Sequence, residues 1–139
     1  MEVMDIARMN YLAILVCAVA YMILGAIWYS PVLFGNAWMK GIGKTKEQIT
    51  ADFSPINYLF ALILSFVASY GIARVMLWTG ATEITDGIKI GLLLGVCFVL
   101  ATMGVNDLFE KRKCSLTIMN SLYHIVAFIV IGIIMSVWN

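Results

Sequence analysis

Four runs of about 20 apolar residues, divided by short polar segments, fill almost all of this 139-residue chain and limit its folds more than any other feature. An α-helix rises about 1.5 Å per residue, so a run of that length crosses the ~30 Å hydrocarbon layer of a bilayer. Within that layer a backbone amide meets no water, and a helix pairs its amides inside one short segment. The runs occupy residues 9–29, 56–78, 87–105 and 116–138. The expectation is an all-α membrane protein, a four-transmembrane-helix bundle forming a single transmembrane domain over 1–139.

Composition agrees. The chain is 63% hydrophobic and 12% charged, against about 25% charged in a typical soluble domain. A net charge of +1, without a basic or acidic tract, excludes a nucleic-acid footprint. Cys17, Cys97 and Cys114 are odd in number and lack C-x-x-C spacing, so neither a disulfide framework nor a zinc site is expected. Glu2 and Asp5 precede the first run where a cleaved signal would be basic, which predicts a retained helix. A single histidine, the lack of a G-x-S-x-G or phosphate-cradling motif, and the lack of paired carboxylates within a span predict no enzyme, no metal and no cofactor.

Pro31 ends or kinks the first run, because proline lacks an N–H and pushes Ser30 out of helical geometry. The following residues then turn along the interface, with Phe34 and Trp38 at headgroup level. Pro55 suits a helix first turn, with Ser54 as N-cap, and Arg74 snorkels outward from the last turn of span two. A short connection makes spans two and three antiparallel neighbours. Lys40, Lys44, Lys46, Lys111, Arg112 and Lys113 lie in the segments 39–55 and 106–115, whereas Arg8, Arg74 and Lys89 lie on the opposite face. The positive-inside rule then places both loops in the cytoplasm and both termini outside the cell membrane. Spans two and four also open alike, Asn57-Tyr58-Leu59 and Asn120-Ser121-Leu122, and two parallel-repeat hairpins would account for this.

Gly87, Gly91 and Gly95 form a stripe on span three, as do Ala61, Ser65 and Ser69 on span two. In lipid such stripes permit close helix approach, either inside a protomer or between protomers, and the glycines predict a homo-oligomer. Trp28, Trp38, Trp78 and Trp138 form an aromatic belt. Tyr29, Ser30, Asn57, Asn106, Asp107, Asn120 and His124 all fall at one end of the spans. One reading is a polar chamber with His124 as the titrating or ligand-contacting group and Asp107 as its charge partner. The other is that the asparagines cap or join helices, Asp107 is solvated, and His124 satisfies a neighbouring carbonyl.

The stretch from Gly25 to Trp38 resembles the G-x-x-W-Y-S-P-x-x-F-G-x-x-W signature of a family of small prokaryotic membrane proteins, domain of unknown function 1761. The resemblance implies a four-helix membrane protein and brings no activity. It directs attention to Trp28, Tyr29, Ser30, Pro31, Phe34, Gly35 and Trp38. Physically the motif is a helix break whose freed carbonyls need neighbours, water or a ligand. Two functions are carried forward: homo-oligomeric transport of an ion or small molecule through the polar cavity, and a non-transporting subunit, scaffold or lipid-binding protein. Membrane lipid is the expected partner in both.

Overall fold

The computed structural model describes residues 8–138, all of whose regular elements are helices. The acidic leader Glu2 and Asp5 lies outside the described residues. The elements are α1 (Tyr11–Trp28), α2 (Gly35–Ile42), α3 (Lys46–Ala51), α4 (Pro55–Thr79), α5 (Ile84–Glu110) and α6 (Cys114–Val137). Of these, α1, α4, α5 and α6 are long and apolar enough to cross a bilayer, and the chain is a multi-pass membrane protein.

Each helix boundary has a local cause. Asn10 caps α1, its Oδ1 accepting from the Ala13 amide at 3.1 Å, while its Nδ2 donates to the Trp138 carbonyl at 3.2 Å and ties the start of α1 to the end of α6. The expected interfacial stretch leads into α2, and the polar segment after it, expected as a loop, contains the short helix α3. Gly43 closes α2 in the left-handed conformation, and Thr45 with Gln48 forms a capping box that opens α3. Pro55 starts α4 as expected, yet Ser54, although at the N-cap position, makes no side-chain capping bond. Gly80, with φ 71°, ends that helix.

Span three is longer than its hydropathy suggests: Asn106, Asp107 and Glu110 are helical, and only residues 111–113 connect it to α6. Lys111 provides the turn at φ 57°, the one non-glycine with positive φ among the described residues. Near its middle, α5 widens into a π-helical turn over Gly95–Leu100.

The spans pack in the order α4, α1, α6, α5, with α6 also touching α4. The core is built from Ala13, Ile14 and Cys17 of α1, Ile72 and Met76 of α4, and Ile131 of α6, among others. The glycine stripe is consumed inside the chain. Gly87 meets the Gly132 backbone, Gly91 meets Phe128, and Gly95 meets Ile125, all on α6. The expectation of a homo-oligomer therefore loses the observation on which it rested. Ser65 and Ser69 are likewise buried, Ser69 Oγ donating to the Ser65 carbonyl at 2.8 Å, while Ala61 is only half-buried.

The short connection keeps α4 in contact with the first part of α5, Ile84–Leu94, and further along the two flank an apolar groove of about 420 Å³ lined by Ala68, Gly71, Val75, Phe98, Thr102 and Phe128. Arg74 does not snorkel. It is buried, donates from Nη2 to the Tyr70 hydroxyl at 2.6 Å, and lies 5.3 Å and 5.6 Å from the Tyr70 and Trp78 ring centroids.

Two stability tests follow from these contacts. A Cβ on Gly91 would lie 2.5 Å from the Phe128 carbonyl oxygen and 2.7 Å from the Ile129 nitrogen. Gly91→Ala is expected to cost about 1–3 kcal/mol in reversible micelle unfolding, with particle mass unchanged because the contact is internal. A variant as stable as the parent would mean that α5 and α6 stand further apart. Lys111→Gly should raise stability by about 0.5–1 kcal/mol, since glycine meets no left-handed penalty but adds some unfolded-state freedom. An unchanged or lowered midpoint would remove backbone strain as an account of that turn.

Candidate functional site

The glycine and aromatic residues spaced from Gly25 to Trp38 fold into a seam between α1 and the first half of α6. Trp28 is in the last turn of α1, and its indole Nε1 donates to the Met119 carbonyl at 3.2 Å. Tyr29 follows immediately, and its hydroxyl donates to Asn120 Oδ1 at 2.7 Å. Phe34 folds back on Trp28 at 4.8 Å between centroids, and Trp38 of α2 packs on Tyr29 at 5.3 Å. Two glycines permit this closeness. A Cβ on Gly25 would sit 2.6 Å from the Tyr123 hydroxyl oxygen, and one on Gly35 would sit 2.5 Å from the Tyr29 carbonyl.

The helix break satisfies its own backbone. The Trp28 carbonyl accepts from the Phe34 amide at 2.9 Å, and the Ser30 carbonyl accepts from the amides of Leu33 and Gly35 at 3.1 Å and 2.9 Å. Ser30 Oγ donates to the Ile27 carbonyl at 2.7 Å. These are the groups that a break at Pro31 leaves open, and here the turn itself fills them. Pro31 is exposed.

One to two turns deeper, the hydroxyl of Tyr21 and Nδ1 of His124 share a hydrogen bond. The Tyr123 hydroxyl donates to the Tyr21 carbonyl at 2.9 Å. The rings of Tyr21, Tyr123 and His124 pack edge to face or tilted, at centroid separations of 5.4 Å (Tyr21–Tyr123), 5.7 Å (Tyr21–His124) and 4.8 Å (Tyr123–His124). Such pairs add stabilisation beyond buried area. Among the described residues no buried side-chain nitrogen or oxygen lacks a hydrogen-bond partner, and the bonds of this cluster hold α1 and α6 in register.

The remaining residues of the expected chamber lie elsewhere. Asp107 is buried at the end of α5, accepting from Thr117 Oγ1 at 2.6 Å with Arg112 Nε 3.7 Å away. Its partners are thus Thr117 and Arg112, whereas that of His124 is Tyr21. Seven residues separate Thr117 from His124, about 10 Å along the helix axis. Asn106 is exposed on α5. Asn57 is exposed on α4 and faces a separate open cavity of about 590 Å³. The structure therefore gathers Trp28, Tyr29, Asn120 and His124, with Ser30 bonded within the adjoining turn, and leaves Asn57, Asn106 and Asp107 apart.

Tyr21 and Tyr123 are the members of this cluster that sequence reasoning overlooked. A signal existed: Cys17, Tyr21, Gly25 and Tyr29 recur at intervals of four and so share a face of α1, while Tyr123 adjoins His124. Among the described residues no group of three or more His, Cys, Asp or Glu side chains gathers as a metal centre would require.

The sequence model of a family described as "Protein of unknown function (DUF1761)" matches residues 12–136. No curated protein and no solved structure gives a match.

The Tyr29–Asn120 bond can be measured by a double-mutant cycle of Tyr29→Phe and Asn120→Ala, read as unfolding free energy in micelles. A favourable coupling of about 0.6 kcal/mol, and no more than about 1.7 kcal/mol, is the expected range for hydrogen bonds between membrane helices. Zero coupling would show that the two residues act independently.

Proposed function

The chain belongs to the DUF1761 family, and from its geometry we propose a non-transporting membrane scaffold: a four-span body that presents a helical ledge, α2 and α3, at one membrane face. What carries this reading is the engagement of Tyr21 with His124 and of Tyr29 with Asn120 across the α1–α6 seam. A solute using these groups must first break both bonds and pry α1 away from α6. The transport alternative needs the same residues free to exchange partners, and nothing in their geometry favours that. The turn at Pro31 supports the scaffold reading further, because its own amides and the Ser30 hydroxyl already occupy the Ile27, Trp28 and Ser30 carbonyls.

In this reading the loop end, carrying six of the nine Lys and Arg residues, faces the cytoplasm, and both ends of the chain lie outside. Partners are larger membrane assemblies that contact the ledge or the lipid-facing sides of the spans.

Two experiments test it. Proteoliposomes loaded with a panel of ions and small metabolites are expected to leak no faster than protein-free vesicles, for the parent and for His124→Ala alike; a protein-dependent flux altered by that substitution would overturn the proposal. For orientation, Cys114 is exposed at the loop end while Cys17 is buried in the bundle. A membrane-impermeant maleimide should label Cys114 in inverted vesicles and not in intact cells, and the reverse pattern would invert the assignment.

A further inference from the structure

An open cavity lies outside the α1–α6 seam, between the ledge and the first turns of α4. It measures about 590 Å³, within the ~300–1,000 Å³ typical of small-molecule sites. We infer that this cavity holds the headgroup and upper acyl region of a zwitterionic phospholipid. Three observations converge.

The first is placement. The cavity is bounded by α2 and α3 on one side and by the opening of a membrane-crossing helix on the other, which is the depth at which lipid headgroups end and hydrocarbon begins. Trp38, Phe53 and Tyr58 line it, with Phe53 and Tyr58 at 5.3 Å between centroids. The second is its mixed polarity. The lining joins the polar side chains of Ser54 and Asn57 to the apolar ones of Ile42, Ile49 and Ala61. Ala61 is the one member of the α4 small-residue stripe that borders the cavity, and its short side chain leaves the volume that an acyl chain would take.

The third is charge. The two ionic groups of the lining are Lys44 and Asp52, and they pair with each other at 2.9 Å. The lining thus has no net charge but offers both signs side by side. A headgroup with a phosphate and an ammonium matches this pair, phosphate to Lys44 and ammonium to Asp52, and exchanges one ion pair for two. An anionic headgroup meets the Asp52 carboxylate without a compensating cation. The aromatic rings add a surface that favours an ammonium.

The test uses the full chain in nanodiscs of equimolar phosphatidylethanolamine and phosphatidylglycerol, released into mild detergent and weighed with its retained lipid by native mass spectrometry. The parent is expected to retain the zwitterionic lipid by about threefold over the anionic one, the preference an exposed ion pair supplies. Asp52→Asn leaves Lys44 uncompensated, so its preference should reverse towards phosphatidylglycerol. Ala61→Trp should lose retained lipid altogether. Asp52 is exposed, so its substitution tests the idea even if Ala61→Trp fails to fold.

Equal retention of both lipids, an anionic preference in the parent, or no change on Asp52→Asn would each overturn the inference. So would equal retention of glycerophosphoethanolamine, which has the headgroup without chains. The inference goes beyond the scaffold reading and fails separately from it: solute flux would overturn that reading and leave lipid retention untouched.

Discussion

Hydrocarbon offers the peptide backbone no hydrogen-bond partner, and every larger feature of this protein follows from that refusal. It forces the four apolar runs into helices, and it removes the solvent drive that brings helices together in water. Association must then come from close packing and from a few polar contacts. The chain supplies the first with Gly87, Gly91 and Gly95 against α6, and the second with tyrosine, histidine and asparagine on the α1–α6 seam. As a result α6 is the inner helix, contacting all three other spans.

The motif from Gly25 to Trp38 acquires a physical meaning in this setting. A proline break near the end of a membrane helix frees carbonyl groups at the depth where leaving them bare is expensive. The Phe34, Leu33 and Gly35 amides fill them, and that tight return brings Phe34 onto Trp28 and Trp38 onto Tyr29. One turn therefore ends the span, launches the ledge and orients two side chains towards α6. The glycine positions follow from steric need, since Tyr123 and the Tyr29 carbonyl occupy the space their side chains would fill.

Much of the fold is readable from periodic apolar length, because a bilayer imposes one dominant pattern. The four spans, the turn at Pro31 and the start at Pro55 all come from local rules. Hydropathy understates span three, since Asn106 and Asp107 look like a polar end, although Asp107 is held within the helix by Thr117 and Arg112. The ledge helices hide in a polar segment, with Thr45 and Gln48 as their only clear mark. Contacts between distant positions are harder to read. Nothing local says that the glycines of α5 face α6, or that Tyr21 meets His124 across 103 residues of sequence. Membrane depth alone therefore groups as one site residues that helix rotation separates, sending Asn57 and Asn106 outward and Asp107 to a contact of its own.

The widened turn at Gly95–Leu100 has an angular effect on α5. Each residue of a regular helix advances about 100°, so the 12 steps from Gly95 to Asp107 would leave those two positions some 120° apart and on different faces. Absorbing one additional residue in the π turn takes back roughly 100°. Met103 and Asp107 can then reach Ser121 and Thr117 on the same helix that the glycines grip. The bulge works as a phase correction, letting one straight neighbour be followed along the full depth of the bilayer, and deleting a single residue there would set the two halves of α5 out of step.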